Sequence, residues 1–146
     1  MSLATDSIFV DALKSNSTLV ESVGGRIYGT AIPMPDEDAD NAPVPYLIVT
    51  FDGLNNDVDS KDDEMESDTD KVNISIEVVG ETLAKLHELT QAVRDTVRDY
   101  LATNDTDITE YQFGAQAIQY DSLKPCYWQV LTYQCDVENL MNDEQD

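Results

Sequence analysis

Carboxylates dominate the side chains that could do chemistry in this chain: 30 Asp and Glu stand against 8 Lys and Arg, one histidine and two cysteines. The stretch Asp57-Val-Asp59-Ser-Lys61-Asp62 opens with alternating acids, as a calcium loop does. It then places Lys61 where an oxygen ligand belongs and Asp62 where glycine is needed for the sharp turn, so a helix–loop–helix calcium site is not expected. Such a cluster attracts cations weakly, and in concentrated salt these are potassium or sodium. Adjacent acids such as Asp36-Glu37-Asp38 and Asp62-Asp63-Glu64 lie in polar stretches. A glycosidase-type pair needs one carboxyl raised in pKa by an apolar pocket, which solvated acids lack. His87 has neither a second histidine nor a cysteine pair for zinc, and no triad can be assembled around it. Cys126 and Cys135 fall on opposite phases of a strand, so two separate thiols are expected and no disulfide. Gly24-Gly25-Arg26 reads as a turn, and neither a phosphate-cradling glycine loop nor a nucleophile elbow is present in the sequence. The expectation is a protein that is not an enzyme, with no catalytic residue, no metal ligand and no cofactor.

Charge constrains the partners next. The formal net charge is −22, aspartate outnumbers glutamate 20 to 10, and five of the bases are lysine. Sequence-specific DNA binding runs on clustered cations and counterion release. Here only Arg94 and Arg98 stand at i, i+4, beside Asp95 and Asp99, and they read as helix-surface charge partners. Self-repulsion of this size costs stability in dilute buffer. The Debye length falls from roughly 10 Å at 0.1 M salt to about 3 Å at 1 M, so such a surface is tolerated in concentrated salt. The composition resembles that of proteins from salt-in halophiles.

The elements that must hold these residues follow from periodicity. Thr5 or Asp6 is expected to cap a first helix bearing Ile8, Phe9, Ala12 and Leu13. Asn16-Ser17 interrupts it, Leu19, Val20 and Val23 continue as a short second helix, and Gly24-Gly25 ends that. Arg26-Ile27-Tyr28 starts a short extended segment. Four prolines between residues 33 and 45 make an arm, and Tyr46–Phe51 is a strand. Residues 52–70, with nine acids and one lysine, read as a long exposed loop. Val72, Ile74, Ile76 and Val78 alternate with polar residues as a strand with one buried face. Residues 81–102 form the clearest helix, with Leu86, Leu89, Val93 and Val97 on one side. Residues 103–110 read as a polar turn. Two further strands follow, Tyr111–Tyr120 and Cys126–Val137, joined as a hairpin. Trp128 is assigned to the core, while Tyr46 is expected to pack more than to bind. No basic run precedes an apolar one near Met1, so no signal peptide is expected, and no stretch is long and apolar enough for a membrane helix. The result is an α+β fold: a largely antiparallel four- to five-stranded sheet with one long and one or two short helices on one face. It forms one domain over residues 1–137, with an acidic tail over 138–146.

The order and texture of these segments resemble a known family. Paired N-terminal helices lead to Gly24-Gly25-Arg26-Ile27-Tyr28, then a proline-bearing arm to Pro45-Tyr46-Leu47-Ile48-Val49. An acidic hairpin loop, the strand Val72–Val78, a helix carrying Ala92-Val93-Arg94 and a final strand pair complete it. Over roughly residues 6–137 this is similar to the tail terminator (tail completion, head–tail joining) proteins of long-tailed phages and related haloarchaeal tailed viruses. The resemblance implies a homo-oligomer, a hexameric ring in the virion, assembled in the host cytoplasm. That ring ends tail-tube growth and joins the tail to a neck, head-completion or connector protein. It implies contacts to the tail tube protein and DNA passing through the lumen without sequence-specific binding; no membrane is involved. The interface candidates are Arg26 and Tyr28 together with the loop acids Asp57, Asp59, Asp62, Asp63, Glu64 and Glu66. Arg26 and Tyr28 could equally be an intramolecular anchor and a core residue. Two other roles fit the sequence less well: another neck component of the same virion, and a cytosolic acidic binding module or small enzyme.

Overall fold

A computed structural model describes residues 2–30, 32–34, 43–56 and 68–139. Helix α1 (Thr5–Lys14) buries Phe9, Val10, Ala12 and Leu13. The expected cap by Thr5 or Asp6 does not form. A 3-10 turn over Ser2–Ala4 already carries the chain into the helix, so Thr5 lies inside it and its hydroxyl donates to the Ser2 carbonyl at 2.6 Å. Helix α2 (Ser17–Ser22) is capped by Asn16, whose Oδ1 accepts from the N–H groups of Thr18 and Leu19. The same side chain donates through Nδ2 to Thr96 Oγ1 at 2.8 Å, tying this corner to the long helix. Gly24 and Gly25 close α2 with φ of 61° and 76°, the left-handed conformation that glycine adopts without penalty.

Six strands form one sheet: β1 (Ile27–Tyr28), β2 (Tyr46–Asn55), β3 (Thr69–Gly80), β4 (Ile108–Ala115), β5 (Gln119–Asp121) and β6 (Cys126–Glu138). The order is β1-β2-β3-β6-β4, with β5 also paired to β6, and only the β1–β2 contact is parallel. Helix α3 (Leu83–Thr103) crosses one face together with α1 and α2. The fold is α+β, with the helices packed against one side of a mostly antiparallel sheet.

Three expected boundaries move. The sheet has six strands, not four or five, because the edge strand expected over Tyr111–Tyr120 divides. Between the pairs Ala115–Leu131 and Gln119–Trp128, four steps along the edge match three along β6, so an extra residue breaks the ladder. The acidic connection is shorter than residues 52–70, since β2 continues through a bulge at Asp52 to Asn55 and β3 begins at Thr69. The turn expected over 103–110 contracts as well, because α3 runs to Thr103 and β4 starts at Ile108.

The core lies between the helices and one set of strand positions. The rows Val49–Ile76–Leu131 and Phe51–Ile74–Tyr133–Phe113 run across the sheet beneath Phe9, Leu13, Leu86, Leu89, Val93 and Val97. Phe9 and Phe113 meet the Tyr133 ring with centroids 5.0 and 5.3 Å apart. Trp128 is not part of this core. The odd phase of β6 supplies Leu131, Tyr133, Cys135 and Val137 to the helices, so Trp128 falls on the opposite face and is half-buried there.

Candidate interaction surface

The face of the sheet turned away from the helices has no layer over it among the described residues, and strand register sets what it displays. Tyr46, Val79, Trp128 and Gln119 stand in one row, and Tyr28, Ile48, Glu77 and Val130 in the next. These rows make an aromatic and aliphatic zone at one end of the face. Further along, Thr50, Ser75 and Thr132 give way to Asn73, Gln134 and Gln112, and then to Lys71, Asp136 and Glu110. That end is polar, with Lys71 Nζ at 2.7 Å from Asp136 Oδ1 and an open cleft of about 420 Å³ between β3, β4 and β6.

Glu77 is the anomaly in the apolar zone. Its carboxylate sits between Ile48 and Val130 across the strands, and burial raises its pKa above the ordinary glutamate value. Burial likewise raises the Tyr46 hydroxyl, with the Glu77 charge adding to it. A carboxylate held among apolar neighbours on an otherwise open face is costly in the isolated subunit and cheapest when protonated.

Arg26 and Tyr28 come together at the edge of this zone, each with its own internal role. Arg26 Nε donates to the Pro45 carbonyl at 3.0 Å, and Leu47 N donates to the Arg26 carbonyl at 3.0 Å, so Arg26 pins the start of β2. A Cβ at Gly24 would lie 2.5 Å from Arg26 Nη1, so the glycine supplies both the turn and the room for the guanidinium. Tyr28 packs its ring on Tyr46 with centroids 6.0 Å apart, half-exposed on the open face and outside the core. Asp57, Asp59, Asp62, Asp63, Glu64 and Glu66 lie outside the described residues.

The β5–β6 turn adds a projection beside the apolar zone. Asp121 Oδ1 accepts from Leu123 N at 3.0 Å and Lys124 N at 3.3 Å, an Asx turn that leaves Leu123 96% exposed. Tyr120, stacked on Tyr127 with centroids 4.9 Å apart, is exposed next to it. Sequence reasoning missed Leu123, although Asp121 at the head of a turn with a leucine two residues later was the available signal. It missed Glu77 as well, because one acid in an alternating strand looks like any other solvent-facing residue.

His87 is exposed on α3. Cys126 and Cys135 are buried free thiols on opposite faces, and burial together with the Asp136 charge pushes Cys135 up to about 12, which leaves it unreactive. Among the described residues no group of three or more His, Cys, Asp or Glu is arranged to hold a metal ion. The buried acid Asp70 accepts from Asn56 Nδ2 at 2.6 Å. The expectation for the arginine pair holds only for Arg98, which meets Asp95 and Asp99 at 3.2 Å each. Arg94 lies instead with its guanidinium 4.3 Å over the Phe113 ring, because β4 runs close beneath that side of the helix.

No family model matches the chain, and no curated protein matches it in sequence. Among solved structures, a chain of one described as "Virion of native gene transfer agent (GTA) particle" shares the fold. The TM-score is 0.57 with 16% identity, over 91% of this chain and 93% of that one. No described helix is long and apolar enough to cross a membrane.

Proposed function

We propose that this chain is a virion structural protein acting as a tail terminator. In this reading identical subunits close into a ring, six in number, at the head-proximal end of the tail tube. The ring stops tube growth and offers its other side to a neck, head-completion or connector protein. The observation that carries the reading is the fold similarity to a chain of a gene-transfer-agent virion particle over nearly the full length of both chains. It agrees with the order of segments that the sequence shares with tail terminators.

The chain's own surface supports assembly. A closed ring is built from heterologous contacts, in which one patch of a subunit meets a different patch of the next. The half-exposed Tyr28, Tyr46, Ile48 and Trp128 zone and the neighbouring Leu123 projection supply apolar surface for such contacts. In concentrated salt such patches keep their value, while exposed ion pairs lose most of theirs. Six copies would carry roughly −130, six times −22. That charge favours rings in concentrated salt, and an acidic lumen wall lets DNA pass without sticking. The segment over residues 57–67, with Asp57, Asp59, Asp62, Asp63, Glu64 and Glu66, is assigned to contacts with the tube or neck.

Electron microscopy of the purified chain in about 2 M KCl tests this, at a salt concentration where screening is within about 3 Å. Closed annuli with a central hole are expected. Open filaments, or single subunits only, contradict the ring. Removing residues 57–68 should leave annuli intact and abolish joining of tails to heads; normal joining removes that segment from the mechanism.

A further inference from the structure

Arg94 stands out in a chain with so many acids, because among the described residues no ion pair or hydrogen bond satisfies its guanidinium. Its guanidinium carbon stands 4.3 Å over the centroid of the Phe113 ring, a cation–π contact that uses none of its N–H donors as hydrogen bonds. It lines a groove of about 430 Å³ between α3 and β4, together with Gln91, Arg98, Tyr111, Phe113 and Tyr133. Tyr133 contributes the second observation. The residue is only 1% exposed, and its hydroxyl is buried without a hydrogen-bond partner. A buried donor left unmade is costly, and such groups in native proteins call for a missing partner. Two of the groove's polar groups are already engaged: Arg98 is shared with Asp95 and Asp99, and Gln91 Nε2 donates to Asp95 Oδ1 at 2.9 Å. The two left unmade, the Arg94 fork and the Tyr133 hydroxyl, can both donate, and an anion with two acceptor oxygens satisfies them together.

We infer that this groove receives a carboxylate side chain from a second copy of the chain, held by the Arg94 fork with the Tyr133 hydroxyl in support. The occupant follows from charge complementarity. With 30 acids against 8 bases, nearly any surface that a second copy presents carries carboxylates, and donor sites able to take one are scarce. The inference rests on the assembly reading and deepens it by giving one side of the heterologous contact a polar key beside the apolar patches. Arg94 is exposed in the single subunit, so its pair is shielded from salt only where the second copy covers the groove.

The test measures self-association in about 2 M KCl by analytical ultracentrifugation for the wild-type chain, Arg94→Gln, Arg94→Lys and Tyr133→Phe, with thermal unfolding of each. Arg94→Gln should weaken association by about tenfold or more, and Arg94→Lys should fall between, since it keeps the charge and loses the fork. Tyr133→Phe is the sharper variant. If the hydroxyl only fills space, its removal leaves the subunit as stable or more so and association unchanged; the inference predicts unchanged or higher stability with weaker association. A photo-crosslinker at Gln91, in mixed light and heavy chains, should join an acidic peptide of another copy. Wild-type association matched by Arg94→Gln and Tyr133→Phe, or crosslinks confined to one chain, overturns the inference and leaves the ring standing. Arg94-dependent association into something other than a ring overturns the ring reading alone. A wild-type chain that stays monomeric at every concentration overturns both.

Discussion

The two faces of the sheet share the same strands and the same register, and they are finished differently. On the helix side, Leu47, Val49, Ile74, Ile76, Leu131 and Tyr133 are each no more than 1% exposed beneath α1 and α3. On the other side, Tyr46, Ile48, Trp128 and Val130 make one end apolar as well, yet they remain half-exposed and flank the carboxylate of Glu77. One face is complete within the subunit. The other stops partway, with aromatic residues in place and no layer over them among the described residues. The lesson is that alternation along a strand allots residues to two faces, and only the tertiary covering decides which of two apolar sets becomes the core.

The largest expected effect breaks the finished face. Leu131→Ala removes a fully buried side chain and should lower the unfolding free energy by about 2–5 kcal/mol, read by denaturant titration in molar salt. Gly24→Ala strikes the corner that organises the unfinished face. It places a Cβ at φ 61° and against Arg26, and should cost about 1–2 kcal/mol in the same titration while freeing Arg26 from Pro45. Trp128→Ala contrasts the faces most directly. A half-exposed tryptophan should contribute only about 1 kcal/mol to the isolated subunit. Its loss should still weaken self-association by at least about tenfold, so the two measurements must diverge. An equal loss in both would make Trp128 an ordinary structural residue.

The smallest effect has the opposite sign. The folded-state pKa of Glu77 is raised, so the folded subunit binds its proton more tightly than the unfolded chain does. Its favourable contribution is complete below the ordinary glutamate pKa and is lost as pH rises through the folded value. Glu77→Gln should therefore stabilise the subunit at neutral pH, by less than about 1 kcal/mol because solvent still reaches the group, and that gain should vanish at acid pH. Unfolding curves at pH 7 and pH 4 check both halves of the statement.

Much of the fold was legible in the sequence, and the reasons are local. The β3 alternation Val72, Ile74, Ile76, Val78 and the α3 spacing Leu86, Leu89, Val93, Val97 each left one reading open, and those residues are buried. Asn16 and Gly24-Gly25 punctuated α2 as their chemistry requires. What escaped depended on contacts distant in sequence. The phase of β6 could be read either way, since Trp128 and Val130 are as apolar as Leu131 and Tyr133, and α1 with α3 settled the choice. The break between β4 and β5 arises from a one-residue register shift that no turn residue announces. Arg94 looked like a partner for Asp95 or Asp99 because those acids stand close to it in sequence, while Phe113, across the groove, does not. Of the residues on the open face and its edge, the sequence singles out only Arg26 and Tyr28 as interface candidates; Tyr46 reads as a packing residue, and their neighbours come from across the strands.

The central claim is that the open face is finished by other copies of the same chain when salt screens their charge. Light-scattering mass across a concentration series, in about 2 M KCl and again in about 0.1 M KCl, tests it most directly, because the screening length is roughly 10 Å in the dilute salt and about 2 Å in the concentrated one. The account predicts a discrete species near six times 16.3 kDa in concentrated salt, dissociating toward the subunit in dilute salt. A mass of 16.3 kDa at every concentration in both buffers contradicts it.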